Sequence, residues 1–159
     1  MAHGASPRRR VRVHHSHFEL SPDPSTGEPR SLAWVDHVEA LAIRIAAAGG
    51  LEEDGAHFLG VAVREALMNA LIHGRGSARR VAVSFRVVEG PVLVITIRDR
   101  GPSFDPETLE DPLRPENLER NSGRGLYYMR RFADEVRFAF PTRGGTVAQL
   151  LKRLPSYPA

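Results

Sequence analysis

Residues 64–73 read Arg64-Glu65-Ala66-Leu67-Met68-Asn69-Ala70-Leu71-Ile72-His73 and combine helical periodicity with a polar stripe. A helix advances about 100° per residue, so Glu65, Asn69 and His73, at i, i+4 and i+8, share one face. The neighbouring positions are mostly apolar, which predicts a largely buried helix. Because an unpaired buried polar group costs about 1–3 kcal/mol, this stripe is expected to line a cleft. The pattern alone is equally compatible with a solvated edge that carries a Glu65–Asn69 hydrogen bond.

The composition is that of an ordinary globular domain. The 159 residues are 42% hydrophobic and 26% charged, and the formal net charge is +3. No apolar run approaches the ~18 residues that span a bilayer, and the absence of cysteine excludes disulfides and thiolate metal sites. Arginine clusters at residues 8–10, 79–80 and 130–131 are interpreted as solvated surface. We therefore expect a cytoplasmic protein with no membrane partner and no direct nucleic-acid partner.

The order of elements follows from alternation, helical periodicity and turn residues. We expect a disordered N-terminus over residues 1–10, a single domain over residues 11–154 and a flexible tail over residues 155–159. The elements predicted within the domain are a strand at 11–20, helices at 31–48 and 52–73, a hairpin of strands at 81–87 and 92–99, a helix at 123–133, and a hairpin of strands at 135–140 and 146–154. This order predicts an α/β (α+β) two-layer sandwich, in which helices cover one face of a mixed, mainly antiparallel sheet.

Three further features indicate a ligand site. Asp99 continues the inward-facing apolar row of residues 93–97, so its carboxylate should point toward the helices at the end of that strand. Residues 102–122 form a polar, proline-containing segment that is typical of a lid. Gly123 and Gly125 precede a predicted helix, where free backbone N–H groups and the helix dipole attract phosphate oxygens. These features can meet only in a cleft between the helices and the sheet.

The histidines are assigned structural rather than chemical roles. His14, His15 and His17 lack a nearby Asp or Cys, so a hydrated strand is favoured over a metal site. His73 is interpreted as a residue that ends its helix rather than as a catalytic group.

The polar residues and glycines resemble the motifs of the GHKL (Bergerat-fold) superfamily of ATP-binding domains and, within it, the anti-sigma-factor serine kinases. The resemblance covers about residues 31–153 and rests on four motifs that follow one another in the family's order. The motifs are Glu65-x-x-x-Asn69 with His73-Gly74, similar to the N-box; Asp99-x-Gly101-x-x-Phe104-Asp105 and Gly123-x-Gly125-Leu126, similar to the two glycine boxes; and Gly145-Thr146, similar to the closing Gly-Thr.

The resemblance implies ATP and Mg²⁺ as cofactors and assigns roles at the two ends of the nucleotide. Glu65 would be the catalytic base, and Asn69 would coordinate Mg²⁺, which prefers oxygen ligands. Asp99 would accept a hydrogen bond from the adenine amino group, and Thr146 would be the second contact to the base. Gly101 would allow the base to approach the backbone.

Around the phosphates, the resemblance implies a cradle at the start of the following helix. Backbone N–H groups around Gly123, Gly125 and Leu126 would hold phosphate oxygens, with Arg124 as a helper. Phe104 would flank the nucleotide.

The implied function is that of a free-standing module, because no helical hairpin with a phospho-accepting histidine is evident before residue 31. The resemblance implies an anti-sigma-factor-type serine/threonine protein kinase that binds a sigma factor and phosphorylates a STAS-type antagonist. A homodimer is compatible with the resemblance. Two alternatives stay open at this point. One is a nucleotide-dependent module that sequesters a partner without kinase turnover, and the other is a detached histidine-kinase-type ATPase domain.

Overall fold

The computed structural model describes residues 15–20, 31–73, 80–101 and 124–156, with the backbone alone described for the first strand, for the first residue of the first helix and for the last residue of the second. The elements in chain order are β1 (His15–Leu20), α1 (Ser31–Ala48), α2 (Glu53–His73), β2 (Val81–Val88), β3 (Val92–Arg98), α3 (Arg124–Phe132), β4 (Glu135–Ala139) and β5 (Val147–Arg153). The predicted order of strands, helices and hairpins is confirmed. None of the described helices is long and apolar enough to cross a lipid bilayer.

Several predictions lie outside the described residues. They are the disorder of residues 1–10, the lid at residues 102–122 and the preference for a hydrated strand over a metal site at His14; of His15 and His17 only the backbone is described. Within the described ranges, no group of three or more His, Cys, Asp or Glu side chains is placed to hold a metal ion.

The five strands form one sheet in the order β1-β2-β3-β5-β4. All four described pairings are antiparallel, so the sheet is antiparallel where the sequence predicted a mixed, mainly antiparallel one. The reason lies in the connections, since β5 returns along β3 in the opposite direction and closes a hairpin with β4. The predicted two-layer α+β class is confirmed. The core lies between the helices and the inward-facing side chains of residues 81–87, 93–97 and Leu150.

Helix α1 ends where glycine can adopt a left-handed conformation. Gly50 has φ +86°, its N–H donates to the Ala47 carbonyl at 2.9 Å, and the Leu51 N–H donates to the Ala46 carbonyl at 3.1 Å. This pattern satisfies the last carbonyl groups of the helix and turns the chain into α2.

Helices α1 and α2 approach closely and are joined by charge. A Cβ on Gly60 would lie 2.6 Å from Ile43 Cγ1, so only glycine permits this spacing. The Arg64 guanidinium donates to Asp36 Oδ1 at 2.6 Å and to Glu39 Oε2 at 2.7 Å on α1. Close packing and these ion pairs together fix the rotation of α2, and with it the direction of the polar stripe.

Helix α2 is less buried than its apolar wheel predicts. Leu59, Val63 and Leu67 are fully buried, but Phe58 and Ile72 are each 45% exposed. Helix α3 has 9 residues and α2 has 21, so α3 cannot cover the whole outer face of α2, although its last residue, Phe132, stacks on Phe58.

The C-terminal end of α3 is anchored to the sheet through Asp134. Lys152 Nζ donates to the Phe132 carbonyl at 3.1 Å and to Asp134 Oδ1 at 2.9 Å, and the Arg153 N–H donates to Asp134 Oδ2 at 2.7 Å. Burial alone would raise the pKa of Asp134, but the donors from Arg153 and Lys152 prevail and lower it. Helix α3 is thereby held in position beside α2.

Candidate functional site

A cleft that is partly open to solvent lies between α2, α3 and the sheet. Its polar lining comes from Asn69 on α2, Asp99 directly after β3 and Thr146 directly before β5. Three residues that the sequence analysis selected on separate elements thus face one space. The expectation that the polar stripe of α2 lines a cleft holds for Asn69.

Asp99 is held in one orientation by the backbone around it. Its side chain is 5% exposed, and Oδ1 accepts hydrogen bonds from the Gly101 N–H at 2.8 Å and the Thr146 N–H at 3.3 Å. The Asp99 N–H in turn donates to the Thr146 carbonyl at 3.0 Å. The predicted inward direction of this carboxylate is confirmed, and its hydrogen bonds tie the end of β3 to the start of β5.

Gly145 allows the two chain segments to approach this closely. It has φ +91°, a conformation that favours glycine, and its N–H donates to the Gly101 carbonyl at 2.8 Å. A Cβ at this position would overlap the Asp99 carbonyl oxygen and lie 3.2 Å from Arg100 Cα. The glycine is therefore required to place Thr146, which is 4% exposed, at the cleft.

The other end of the cleft is built where α3 begins beside α2. A Cβ on Gly125 would lie 2.9 Å from Glu65 Oε2 and 3.1 Å from Asn69 Nδ2. The two polar side chains therefore converge on one point that glycine leaves open. Within the described residues no hydrogen bond joins Glu65 to Asn69, so the solvated-edge alternative finds no support.

Glu65 lies in an environment that makes its carboxylate more basic. Partial burial raises the pKa of Glu65 above its usual value, and the positive charge of the adjacent Arg64 opposes that rise. Arg64 is itself engaged by Asp36 and Glu39. A carboxylate with a raised pKa is a better proton acceptor, which is the property a general base needs.

The remaining predicted site residues are placed as follows. Leu126 is 6% exposed and belongs to the hydrophobic core rather than to the cleft lining. Arg124 is the first residue of α3 and is half-buried. Phe104, Gly123 and the His73 side chain lie outside what the structure describes.

The cleft also contains apolar residues that the sequence analysis did not select as site residues: Ala66, Ala70, Ile97, Met129, Phe138 and Ala148. The two alanines flank Asn69 at helical spacing, so their small size on that face was a usable signal. Phe138 carried no comparable signal, because it reaches the cleft only through the pairing of β4 with β5.

Comparison with known proteins identifies the family of this fold. The sequence profile of the family described as histidine kinase-like ATPase domain matches residues 29–152, which include the three described helices, β2, β3, β4 and all of β5 except its last residue.

Individual relatives agree with this match. The chain is 39% identical over 97 residues to the anti-sigma F factor of Geobacillus kaustophilus, covering 58% of this chain and 65% of that protein. It is 28% identical over 117 residues to the serine-protein kinase RsbW of Staphylococcus aureus, covering 68% of this chain and 73% of that protein. The chain thus spans just under two thirds of the length of the anti-sigma F factors it matches.

Among solved structures, the RsbU and RsbW domains of a Mycobacterium tuberculosis protein superpose with a TM-score of 0.59 at 19% identity, covering 92% of this chain and 34% of that one. This similarity supports the fold.

Proposed function

The chain belongs to the histidine kinase-like ATPase domain family, and from this premise we propose that it is an anti-sigma-factor-type serine/threonine protein kinase. The observation that carries the proposal is the convergence of Asn69, Asp99 and Thr146 on one cleft. It is supported by the similarity to anti-sigma F factors and to an RsbW serine-protein kinase.

Adenine would bind at the end of the cleft formed by Asp99 and Thr146. Apolar side chains around these two residues suit a flat aromatic base, and a fixed carboxylate oxygen suits its exocyclic amino group. The Gly101 N–H already holds Asp99 Oδ1, so adenine binding requires no reorientation of this acceptor. Thr146 would supply the second polar contact.

The phosphates would lie toward Glu65, Asn69 and Gly125. The residues present fit a magnesium-bound triphosphate, because Asn69 offers a hard oxygen ligand and Gly125 leaves the adjacent volume free of a side chain. Mg²⁺ would offset the negative charge of the phosphates. Gly123, Arg124 and the N-terminal N–H groups of α3 would hold phosphate oxygens, and Phe104 would flank the nucleotide.

Glu65 would act as the catalytic base. A substrate hydroxyl oxygen forms a bond to the γ-phosphorus, the bond from that phosphorus to the bridging oxygen breaks and ADP leaves. The hydroxyl proton passes to the Glu65 carboxylate, whose raised pKa favours its capture.

The partners proposed for the chain are a sigma factor, which it would bind, and a STAS-type antagonist, which it would phosphorylate on serine, in the cytoplasm. The relatives named anti-sigma F factor support the first partner, and the serine-protein kinase supports the second activity.

The deciding experiment has two stages. Calorimetry should detect binding of Mg-ATP with preference over Mg-GTP, because guanine presents a carbonyl oxygen where adenine presents its amino group. Incubation with Mg-ATP and the STAS-domain proteins of the same genome should then yield phosphoserine by mass spectrometry. Absence of nucleotide binding at millimolar concentration would contradict the proposal, whereas binding without phosphoserine would favour a sequestering module.

A further inference from the structure

A row of aromatic rings crosses the surface where α2 meets α3. Phe58 and Phe132 are stacked with centroids 4.7 Å apart and an interplanar angle of 10°. Tyr128 and Phe132 follow at 5.8 Å and 5°. Phe58 is 45% exposed and the other two rings are half-buried. Neither the fold nor the proposed nucleotide site accounts for a large exposed ring at this place.

The same surface is basic. Helix α3, Arg124–Phe132, contains three arginines and no acidic residue. The helical period places Arg124 and Arg131 beside Tyr128, and Arg131 is exposed. On α2, Asp54 lies one turn before Phe58 and marks the end of this basic region. We refer to the set of residues Phe58, Arg124, Tyr128, Arg131 and Phe132 as the aromatic–basic surface.

The aromatic–basic surface is continuous with the candidate catalytic end of the cleft. Gly125 of α3 lies against Glu65 Oε2, and Tyr128 and Phe132 follow Gly125 by three and seven residues. At 1.5 Å per residue, the rings therefore extend about 10 Å from the Glu65 region. A protein that presents a hydroxyl group to Glu65 from outside must pass beside this surface.

We propose that the aromatic–basic surface docks an acidic segment of the protein substrate and so delivers its serine to Glu65. The inference rests on the proposed kinase function and assigns where that kinase holds its substrate. The stacked rings receive an apolar side chain, while the exposed Arg131 attracts carboxylates. An extended segment advances about 3.3 Å per residue, so the apolar side chain lies about three residues from the serine.

The charge pattern favours an acidic protein segment as the ligand of this surface. Stacked rings and arginines also suit single-stranded nucleic acid, but the row is short, ends at Asp54 and begins beside a carboxylate, Glu65. A phosphodiester backbone carries one negative charge per nucleotide and would be repelled by Asp54 along this row, whereas a peptide can place its carboxylates beside Arg131 and away from Asp54.

The test uses two fluorescent 15-residue peptides with one serine and one leucine three residues from it. One carries four glutamates and the other carries four lysines at the same positions. Anisotropy titration with the full chain and no nucleotide should show the acidic peptide binding roughly 10-fold more tightly, with the difference falling as salt is raised. Phe58→Ala and Arg131→Glu should each weaken acidic-peptide binding by roughly 5-fold or more.

Two variants serve as matched controls. Leu32→Ala removes a side chain on α1 that is 56% exposed, and Arg137→Glu reverses a charge on β4 in an exposed pair with Glu135. Both should leave peptide binding unchanged, and circular dichroism should show all four variants folded.

Equal binding of the two peptides, equal effects of the control variants, or tighter binding of a 15-residue oligothymidylate would overturn the docking proposal. These outcomes are separable from failure of the kinase function. If only the docking proposal fails, the wild-type chain still binds Mg-ATP and forms phosphoserine, whereas absence of those two activities would remove the proposed function itself.

Discussion

The two ends of the cleft are built in different ways. At the strand end, Asp99, Gly101, Gly145 and Thr146 are buried and are joined through backbone groups. At the helix end, Glu65 and Asn69 are half-buried side chains on α2 that converge on Gly125 of α3. The strand end is part of the sheet, and the helix end exists only because two helices pack side by side.

In the proposed function, the strand end recognises the nucleotide and the helix end carries out phosphotransfer. An acceptor held by two backbone N–H groups cannot rotate freely, so the strand end is organised before any ligand arrives. A carboxylate at the end of a flexible side chain can adjust as it takes up a proton. We therefore expect changes at the strand end to alter folding and nucleotide affinity, and changes at the helix end to alter turnover.

The largest effect is expected for Gly145→Ala at the strand end. The new Cβ would overlap the Asp99 carbonyl in a backbone conformation that L-residues rarely adopt, so the free energy of unfolding should fall by about 3 kcal/mol and ATP binding should be lost. Urea denaturation measures the first quantity. Gly144→Ala is the matched control, because Gly144 has φ +85° but a Cβ there would approach Gly101 O only to 3.9 Å, and it should cost about 1–2 kcal/mol. Equal costs would show that backbone strain, not the close approach, governs this end.

The next effect is expected for Glu65→Gln at the helix end. Glutamine keeps the size of the side chain but cannot accept the proton, so phosphotransfer should fall by roughly 10²–10⁴-fold while ATP affinity changes little. Single-turnover transfer from labelled ATP and calorimetry measure the two quantities. A parallel loss of affinity would remove the distinction between the two ends.

The pH profile of transfer provides the control for Glu65. The base must be ionised, so wild-type activity should be lost as pH falls through the Glu65 pKa, which lies above the usual value of 4.5 because of burial. The residual activity of Glu65→Gln should not follow this acid limb. An identical acid limb in both proteins would assign the titration to another group.

Asp99→Asn should weaken ATP binding by about 1–3 kcal/mol without unfolding the protein. Asparagine retains an oxygen for the Gly101 and Thr146 N–H groups, but it replaces the other carboxylate oxygen with an amide that presents donors to the adenine amino group. Calorimetry and thermal melting measure affinity and stability. A melting temperature that falls while affinity is unchanged would make Asp99 a structural residue only.

The smallest effect is expected for Gly125→Ala, which tests the helix end without disturbing the core. The Cβ would displace the flexible end of Glu65 and crowd Asn69, so transfer should fall about 10-fold while stability is unchanged or slightly higher, since Ala favours helix over Gly. Gly55→Ala on α2 is the control, because its Cβ would meet only Leu51 Cδ2 at 3.8 Å. It should raise stability by about 0.5–1 kcal/mol and leave transfer unchanged. A large loss of stability in Gly125→Ala would show that this end is as rigid as the other.

Much of the fold was predictable because periodicity is a local property. The alternation in residues 92–99 predicted both β3 and the inward direction of Asp99, and Gly49-Gly50 predicted the end of α1. Errors arose where tertiary packing intervenes. The apolar wheel of α2 could not show that Phe58 and Ile72 stay partly exposed, and no local pattern distinguished a mixed, mainly antiparallel sheet from a fully antiparallel one.

The same distinction between local pattern and tertiary packing applies to the candidate site. The local pattern already marked the polar residues of interest, because Glu65, Asn69 and Asp99 interrupt apolar periodicity at positions where a buried face rarely carries an unpaired polar group. How these residues come together depends on the packing of helices and strands. Gly145 reaches Asp99 because β5 pairs with β3, and Gly125 reaches Glu65 because α3 packs on α2. Periodicity is encoded within a few neighbouring residues, whereas these approaches depend on contacts between segments far apart in the chain.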